Sequence, residues 1–432
     1  MSTLQAVIHI SSSAVCTVIG QIEHTSTGMR PTIMAVGLAH TDAFAHGQVV
    51  HREYLRQALH KSVQEATDMS GTRIYSPIVS WSSPLMLAEN DMQTVTVASA
   101  EGLIDSSDLH QAQVLVEQSL KNNERALLQR CQQMVCLDSG EQVQDAIGLR
   151  SKRIDIYSHV MSVPENSYQQ MVDLLQGNDI EGCTTVFDGV AGAYYALTEN
   201  EKRQGVCYID IGATMTKVCV YSQGVLIFTD CLDVGGTMVD MDIAKECGIA
   251  LADVDSFKRQ EGTLNHERHS PGAHIIYKKG TKSEKTMLRR ALNEVIEARY
   301  YEIFSEIFAR LEKANLRHAI DAGVVLAGGA TQMDGLIGFI RTNFGILARR
   351  VAAPTYIELD HSHMSDDTVK FVQKHLQDST LHSAIGLFLF SGSEQFANDQ
   401  QIQYEVVEKV DYLSEFSKLA QKFISLCKKV IY

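Results

Sequence analysis

VCYIDIGATMTKVCVYSQGVLIFTD, residues 206 to 230, reads as an apolar strand, a turn of small residues, a second strand, a tight turn at SQG and a third strand. Apolar, β-rich runs broken at small-residue turns make a β-meander. The chain opens on the same plan: AVIHI, SSS, AVCTVIG, a polar turn with Gly28 and Pro31, then TIMAVGLAH. Setting IHISSSAV (8–15) on IDIGATMT (209–216) aligns His9 with Asp210 and Ser11 with Gly212. Each meander heads one half of the chain, which implies an internally repeated α/β architecture.

The spacing of apolar residues fills in both halves. After the first meander it predicts a helix from Arg52 to Met69, closed by Gly71, and a strand in IYSPIVSW. From Ser82 to about Pro164 the texture changes to a β-rich TVTVAS, a polar helix from Asp105 to Gln118 and a strand IDIYSHVMSV, an apparent insert. The α/β pattern resumes with a helix from Glu165 to Gln176, the strand TTVFDG and a small-residue helix from Val190 to Leu197. After the second meander come the Gly235-Gly236 pair, a helix from Thr237 to Cys247 and a polar, basic stretch to Lys285. A long helix to about Asn315, the strand AGVVLAGG, the turn ATQMDG and the helix LIGFIRTNF complete this half.

Turns made of small residues point several backbone N–H groups toward one place, with no Cβ in the way of a phosphate oxygen. Two facing turns would clamp a phosphate chain, through Ser11, Ser12 and Ser13 in one and Asp210, Gly212, Ala213 and Thr214 in the other. Asp210 ends a buried strand and is expected to hold a hydrated magnesium ion. An ordinary hairpin with a surface aspartate is the alternative. In VVLAGGATQMDGL, Gly328, Gly329 and Ala330 place bare backbone beside a flat or anionic ligand near a helix start, and Gly235 and Gly236 add a further small-residue turn.

Bulk properties narrow the class. A chain of 432 residues exceeds one compact core, and 45% hydrophobic with 21% charged content is that of a globular protein. A net charge of −14, with no basic stripe outside the tail, excludes nucleic acid as partner. Nine cysteines without a CxxC pair, and a start lacking signal-peptide character, indicate a reducing, cytosolic compartment. The histidines of HSH (361–363) supply no fixed tetrahedral ligand set, no nucleophile elbow is recognisable, and no catalytic residue is assigned.

The last residues, YLSEFSKLAQKFISLCKKVIY, form two faces when wound as a helix. Leu413, Phe416, Leu419, Phe423, Leu426 and Ile431 fall within an arc of about 160°, with Lys422, Lys428 and Lys429 opposite. Such a helix lies on an anionic membrane without crossing it. The alternative is a terminal helix docked on the protein's own core.

The two meanders, the DxG turn, the Gly235-Gly236 pair and the strand-GG-helix come in the order used by the actin, sugar-kinase and heat-shock chaperone superfamily, which the chain resembles. More narrowly, NEVIEARYYEIF (293–304), VVLAGGATQMDGL (324–336), DAIGLRSKRIDIYSHV (145–160) and the amphipathic tail are similar to the FtsA family of bacterial actin-like division proteins, over essentially the whole chain. That resemblance implies an α/β, actin-like fold of two α/β domains around a cleft for ATP and Mg2+. Its parts would be subdomain IA (1–81 plus 165–205), an inserted subdomain IC (82–164), subdomain IIA (206–243 plus 318–391) and subdomain IIB (244–317). A linker (392–411) and the membrane helix (412–432) would follow. Lys258 and Arg299 match family positions near the nucleotide.

The resemblance further implies a self-polymerising scaffold at the cytoplasmic face of the bacterial inner membrane, at the division septum. It would tether the FtsZ ring through the FtsZ C-terminal peptide and help recruit later divisome membrane proteins. The chain departs from the family at the first phosphate turn, where His9, Ser11, Ser12 and Ala14 stand for an acid, glycine, threonine and lysine. In the second turn Ala213 replaces a usual glycine and Lys217 a usual aspartate. A histidine is mostly neutral at neutral pH and cannot replace a carboxylate around magnesium. ATP is therefore expected to bind with hydrolysis weak or absent. Two other readings stay open, a PilM-like scaffold of type IV pilus assembly and a small-substrate kinase of the actin superfamily.

Overall fold

The computed structural model describes residues 3–26, 28–270, 272–279, 283–352, 356–377, 381–400 and 406–407. Among these, a seven-stranded sheet runs in the order Thr184–Phe187, Ile78–Trp81, Thr3–Ile10, Ala14–Thr25, Gly28–His40, Glu358–Leu359, with Val406–Val407 also laid against Ala14–Thr25. A five-stranded sheet runs Val225–Leu232, Thr216–Ser222, Val206–Ile211, Val324–Ala327, Ala348–Arg350. Both place an antiparallel meander beside strands parallel to its first member. The repeat extends to the turns. Ile10 pairs with Val15 and Ile211 with Thr216, and each turn closes alike, Ser11 N–H to Ala14 O at 3.0 Å and Gly212 N–H to Met215 O at 2.9 Å.

Alternation along the second sheet divides it between two cores. Successive side chains of a strand point to opposite faces. Cys207, Ile209 and Ile211 join the core made with the helices Gly236–Cys247 and Arg289–Lys313, while Val206 and Tyr208 join the core shared with the first sheet. On the neighbouring strand Val218 and Val220 take the first side, Cys219 and Tyr221 the second. Asp210 and Lys217 therefore share the face that looks toward the first half, and they are direct cross-strand partners.

The expected insert has a sheet of its own, although Leu128, Cys131, Met161 and Val163 on its strands join the core of the first half. The strands Leu87–Thr96, Arg153–Pro164, Arg125–Leu137 and Gln142–Val143 form its sheet, crossed by the helix Ser106–Asn122 over a small core that includes Val95, Leu109, Val135 and Ile154. Asp105 caps that helix, accepting from Ser107 N and Asp108 N, and Asp108 answers by accepting from Asp105 N. The expected helices at 52–69, 165–176, 237–247 and 336–344 are found at Arg52–Ser70, Glu165–Gln176, Gly236–Cys247 and Leu336–Phe344.

Three expectations are corrected. The long helix begins at Arg289, because Ser283–Leu288 pairs with His274–Lys279 as a hairpin, and the stretch before it holds the helix Leu251–Glu261. Residues 358–391, assigned to the second half, mostly pack on the first. Glu358–Leu359 adds to the first sheet, and the helix His382–Ser391 lies on the helix Asp188–Ala196 and the first two strands. Gly386 permits that close approach, since a Cβ there would stand 2.2 Å from Ala191 O. The described part of the expected linker 392–411 is not simply a tether. Glu394–Gln400 is a helix with Phe396, Ala397 and Asp399 buried, and Asp399 accepts a hydrogen bond from Gln132 N at 2.8 Å on the insert. The expected membrane helix at 412–432 lies outside the described residues.

Candidate functional site

The two meander turns face one cavity of about 760 Å³ between the halves. A volume of that size suits a ligand as large as a nucleotide. Ser11, Ser12 and Ser13 line it from the first half, and Asp210, Gly212, Ala213, Gly236, Lys258, Gly328, Gly329 and Ala330 from the second. Sequence reasoning had singled out all of these.

In the first turn the Ser11 hydroxyl donates to Ala14 O at 2.9 Å and accepts from Ala14 N at 3.2 Å, so it stiffens its own loop. The second turn is braced from behind. Gly236 N–H and Thr237 N–H donate to Gly212 O and Ala213 O, each at 2.9 Å, and the Thr237 hydroxyl also donates to Ala213 O. The helix starting at Gly236 thus spends its first N–H groups on the turn. A Cβ at Gly235 would lie 2.5 Å from Ala213 O, which makes Gly235 a support of the turn and not part of the cavity wall.

Gly328 ends the strand Val324–Ala327 with φ +86°, and a Cβ there would lie 2.3 Å from both Asp210 Oδ1 and Ile211 O. This is the close backbone crossing that the strand-GG pattern implies. Gly329 differs, since a Cβ on it would meet nothing within 4 Å. The Tyr300 hydroxyl donates to Ala330 O and fixes the next residue.

Two expected residues stand elsewhere. Thr214 Oγ1 accepts from His46 N at 3.2 Å, and His46 Nδ1 lies 2.5 Å from Asp233 Oδ1, so Thr214 belongs to a clasp between the hairpin 44–49 and the second half. Arg299 pairs with Asp242 at 2.6 Å and Glu302 at 2.7 Å and does not line the cavity. Lys258 does line it, held by Asp240 at 2.7 Å and Asp255 at 3.3 Å.

On the floor of the cleft, Asp210 and the two departures His9 and Lys217 meet residues the sequence did not assign, Asp188, Ser82 and Ser80. Lys217 Nζ sits 3.4 Å from Asp210 Oδ2 and 3.4 Å from Asp188 Oδ2. Ser82 donates to the other oxygen of Asp188. His9 Nδ1 lies 2.9 Å from Ser80 Oγ. Burial depresses the His9 pKa, Asp188 opposes this and Lys217 adds to it, which leaves a neutral imidazole at neutral pH. For Lys217, burial works against the ammonium, but Asp188 and Asp210 outweigh it and hold the group above the ordinary lysine range. The magnesium expected on Asp210 does not fit this donor set, because a lysine already neutralises the carboxylate. From the sequence Lys217 was legible as a departure, a lysine where the resembling family has a usual aspartate, and not as the partner of two acids. Its partner Asp188, which opens the helix Asp188–Ala196, is distant in sequence.

Comparison with known proteins bears on this arrangement. The family described as "Cell division protein FtsA" matches residues 207–386. The chain is 25% identical over 331 residues to the cell division protein FtsA of Pseudomonas aeruginosa, covering 76% of this chain and 78% of that protein. It is 23% identical over 411 residues to FtsA of Escherichia coli K12, covering 93% and 94%. The chain is similar to FtsA proteins over most of its length. Among solved structures it resembles a PilM-PilN type IV pilus biogenesis complex, with TM-score 0.60 and 16% identity over 90% of this chain and 98% of that one. It also resembles MreB5 of Spiroplasma citri bound to ADP, with TM-score 0.51 and 12% identity over 93% and 99%. The fold is actin-like. Among the described residues no helix is long and apolar enough to cross a membrane, and no cluster of His, Cys, Asp and Glu side chains is arranged to hold a metal ion.

Proposed function

We propose that this chain is a nucleotide-binding, self-assembling scaffold of bacterial cell division that links the FtsZ ring to the cytoplasmic face of the inner membrane. The observation that carries the reading is the match to division proteins named FtsA along nearly the whole chain, 93% of it in the Escherichia coli case. The cleft supplies the nucleotide part. The backbone of Ser11–Ser13 and Gly212–Ala213 would hold phosphates, the open space at Gly329 would take the nucleoside, and Lys258 would border it. Hydrolysis is slow or absent in this reading, since His9 is neutral, Ala14 carries no charge and Asp210 is already paired. The terminal sequence from Leu413 to Ile431 would provide the membrane contact, with Phe416, Leu419, Phe423 and Leu426 inserted and Lys422, Lys428 and Lys429 facing anionic headgroups. The surface for the FtsZ peptide would lie within 244–317, and later divisome proteins would meet the insert.

A pull-down with the C-terminal peptide of FtsZ tests the division role. Retention of the chain supports it, while retention by a peptide of PilN instead would favour the pilus-scaffold reading, which draws on the likeness to the PilM-PilN complex. Failure of both, together with phosphorylation of a sugar, would point to a kinase. Sedimentation with anionic liposomes, with and without residues 412–432, tests the membrane part, and equal binding by the truncated chain would refute it.

A further inference from the structure

The cleft carries a fixed cation in the place where a divalent ion was expected. Lys217, Asp188 and Asp210 have side chains 7% exposed or less, and the ammonium lies at equal distance from the two carboxylates. Of the remaining oxygens, Asp188 Oδ1 is committed and Asp210 Oδ1 is hemmed in. Ser82 donates to Asp188 Oδ1, and Asp210 Oδ1 lies against the Gly328 backbone, where even a Cβ would intrude. A hydrated magnesium ion needs carboxylate oxygens that face it or its waters, and it brings two positive charges. Here those charges would confront a buried ammonium on the cavity wall. The other lysine and arginine side chains around the cavity are ion-paired as well, Lys258 with Asp240 and Asp255, Arg259 with Asp255, Arg268 with Asp334, and Arg289 with Glu261.

We propose that the Lys217 ammonium replaces the divalent cation, so that this cleft takes a nucleoside di- or triphosphate as the free anion and not as its magnesium complex. The proposal rests on the nucleotide reading above. Lys217 is held by two carboxylates and lies on the wall beside Gly212, where a Cβ would come 3.4 Å from Nζ. An ammonium in that position offsets one of the two carboxylates, so that the group meets the phosphates with one net negative charge in place of two. Being a single charge with N–H donors, it does not bridge two phosphoryl oxygens through inner-sphere bonds, which accords with binding without efficient hydrolysis.

The test is titration of the full chain with a fluorescent ADP analogue in magnesium and in EDTA. The expected result is an affinity that agrees within about threefold between the two buffers. Binding that weakens by about tenfold or more in EDTA would overturn the proposal and leave the nucleotide reading intact. No binding in either buffer would refute the nucleotide reading and this proposal with it. A second measurement needs no nucleotide. Manganese titrated into the apo chain and followed by electron paramagnetic resonance should find no saturable site, whereas Lys217→Ala should acquire one and Lys217→Arg should not. A saturable manganese site in the natural chain that disappears in Asp210→Asn would also overturn it. If Lys217→Ala fails to fold, the EDTA comparison on the natural chain still decides the matter.

Discussion

Gly328 and Gly329 are adjacent, yet alanine at each has opposite consequences. At Gly328 the new methyl must adopt φ +86°, a left-handed conformation costing an L-residue about 1–2 kcal/mol. It must also displace Asp210 Oδ1 and Ile211 O, each 2.3 Å from the new carbon, and overpacking of this kind costs about 1–3 kcal/mol. The obstacles are a backbone carbonyl and an ion-paired carboxylate, neither free to swing aside, so Gly328→Ala should lose about 2–5 kcal/mol, the sum of those two costs. At Gly329 no atom lies within 4 Å of the new methyl and φ is not positive. Reduced freedom of the unfolded chain then makes Gly329→Ala neutral or up to about 1 kcal/mol stabilising. The same methyl projects into the cavity, so Gly329→Ala should weaken nucleotide binding by about tenfold while keeping the fold. Urea denaturation of the two variants, with fluorescent-nucleotide titration of each, measures both effects. Equal stability of the two variants would refute the geometric argument.

Other substitutions test further parts of the structure. Thr214→Ala should leave nucleotide affinity within about twofold, because its hydroxyl serves His46, and a larger loss in titration would return Thr214 to the ligand site. Gly386→Ala puts a methyl 2.2 Å from Ala191 O and should cost about 1–3 kcal/mol in urea denaturation. Burial pushes the Asp399 carboxyl up to about 7, although the Gln132 N–H and Arg130 oppose this. The unfolded carboxyl titrates near 3.9, so between about pH 4 and 7 the folded chain holds a proton that the unfolded chain has lost. Stability from this group is therefore full below about pH 4, falls by at most about 1.4 kcal/mol per pH unit through that window, and is level above it. Asp399→Asn should remove the slope, and hydrogen exchange in residues 394–400 should stop depending on pH beyond its intrinsic rate.

What the sequence disclosed, it disclosed through local signals. The meanders were legible because apolar runs and small-residue turns are decided within a few residues, and the turn bonds from Ser11 to Ala14 and from Gly212 to Met215 show the repeat to be structural. The strand Arg125–Leu137 was hidden, because LLQRCQQ looks too polar for a buried strand. Some of its polar groups find partners far along the chain, with Gln129 Oε1 accepting from Phe187 N at 3.0 Å and Arg130 donating to Ser158 Oγ at 3.1 Å. The same reason hid the helix Glu394–Gln400, whose Asp399 is answered by Gln132. In the cleft, small residues were found because their role is to leave space. The fates of Thr214, Arg299 and Lys217 depend on His46, Asp242 and Asp188, and no pattern in one stretch of chain names a partner in another.

The group made by Asp188, Lys217 and Asp210 has a mechanical consequence. Asp188 opens a helix that follows the first sheet, while Lys217 and Asp210 stand on the second. Drawing these residues apart would strand two carboxylates and an ammonium out of water, a change that costs about 3–5 kcal/mol for a single unpaired partner. The exposed clasp of His46 and Asp233 yields for under about 1 kcal/mol. Any opening of the two halves would therefore turn about a fixed point at the bottom of the cleft, like jaws on a pin. A molecule bound there would then be gripped or released at its outer end while the end seated on the floor scarcely moved.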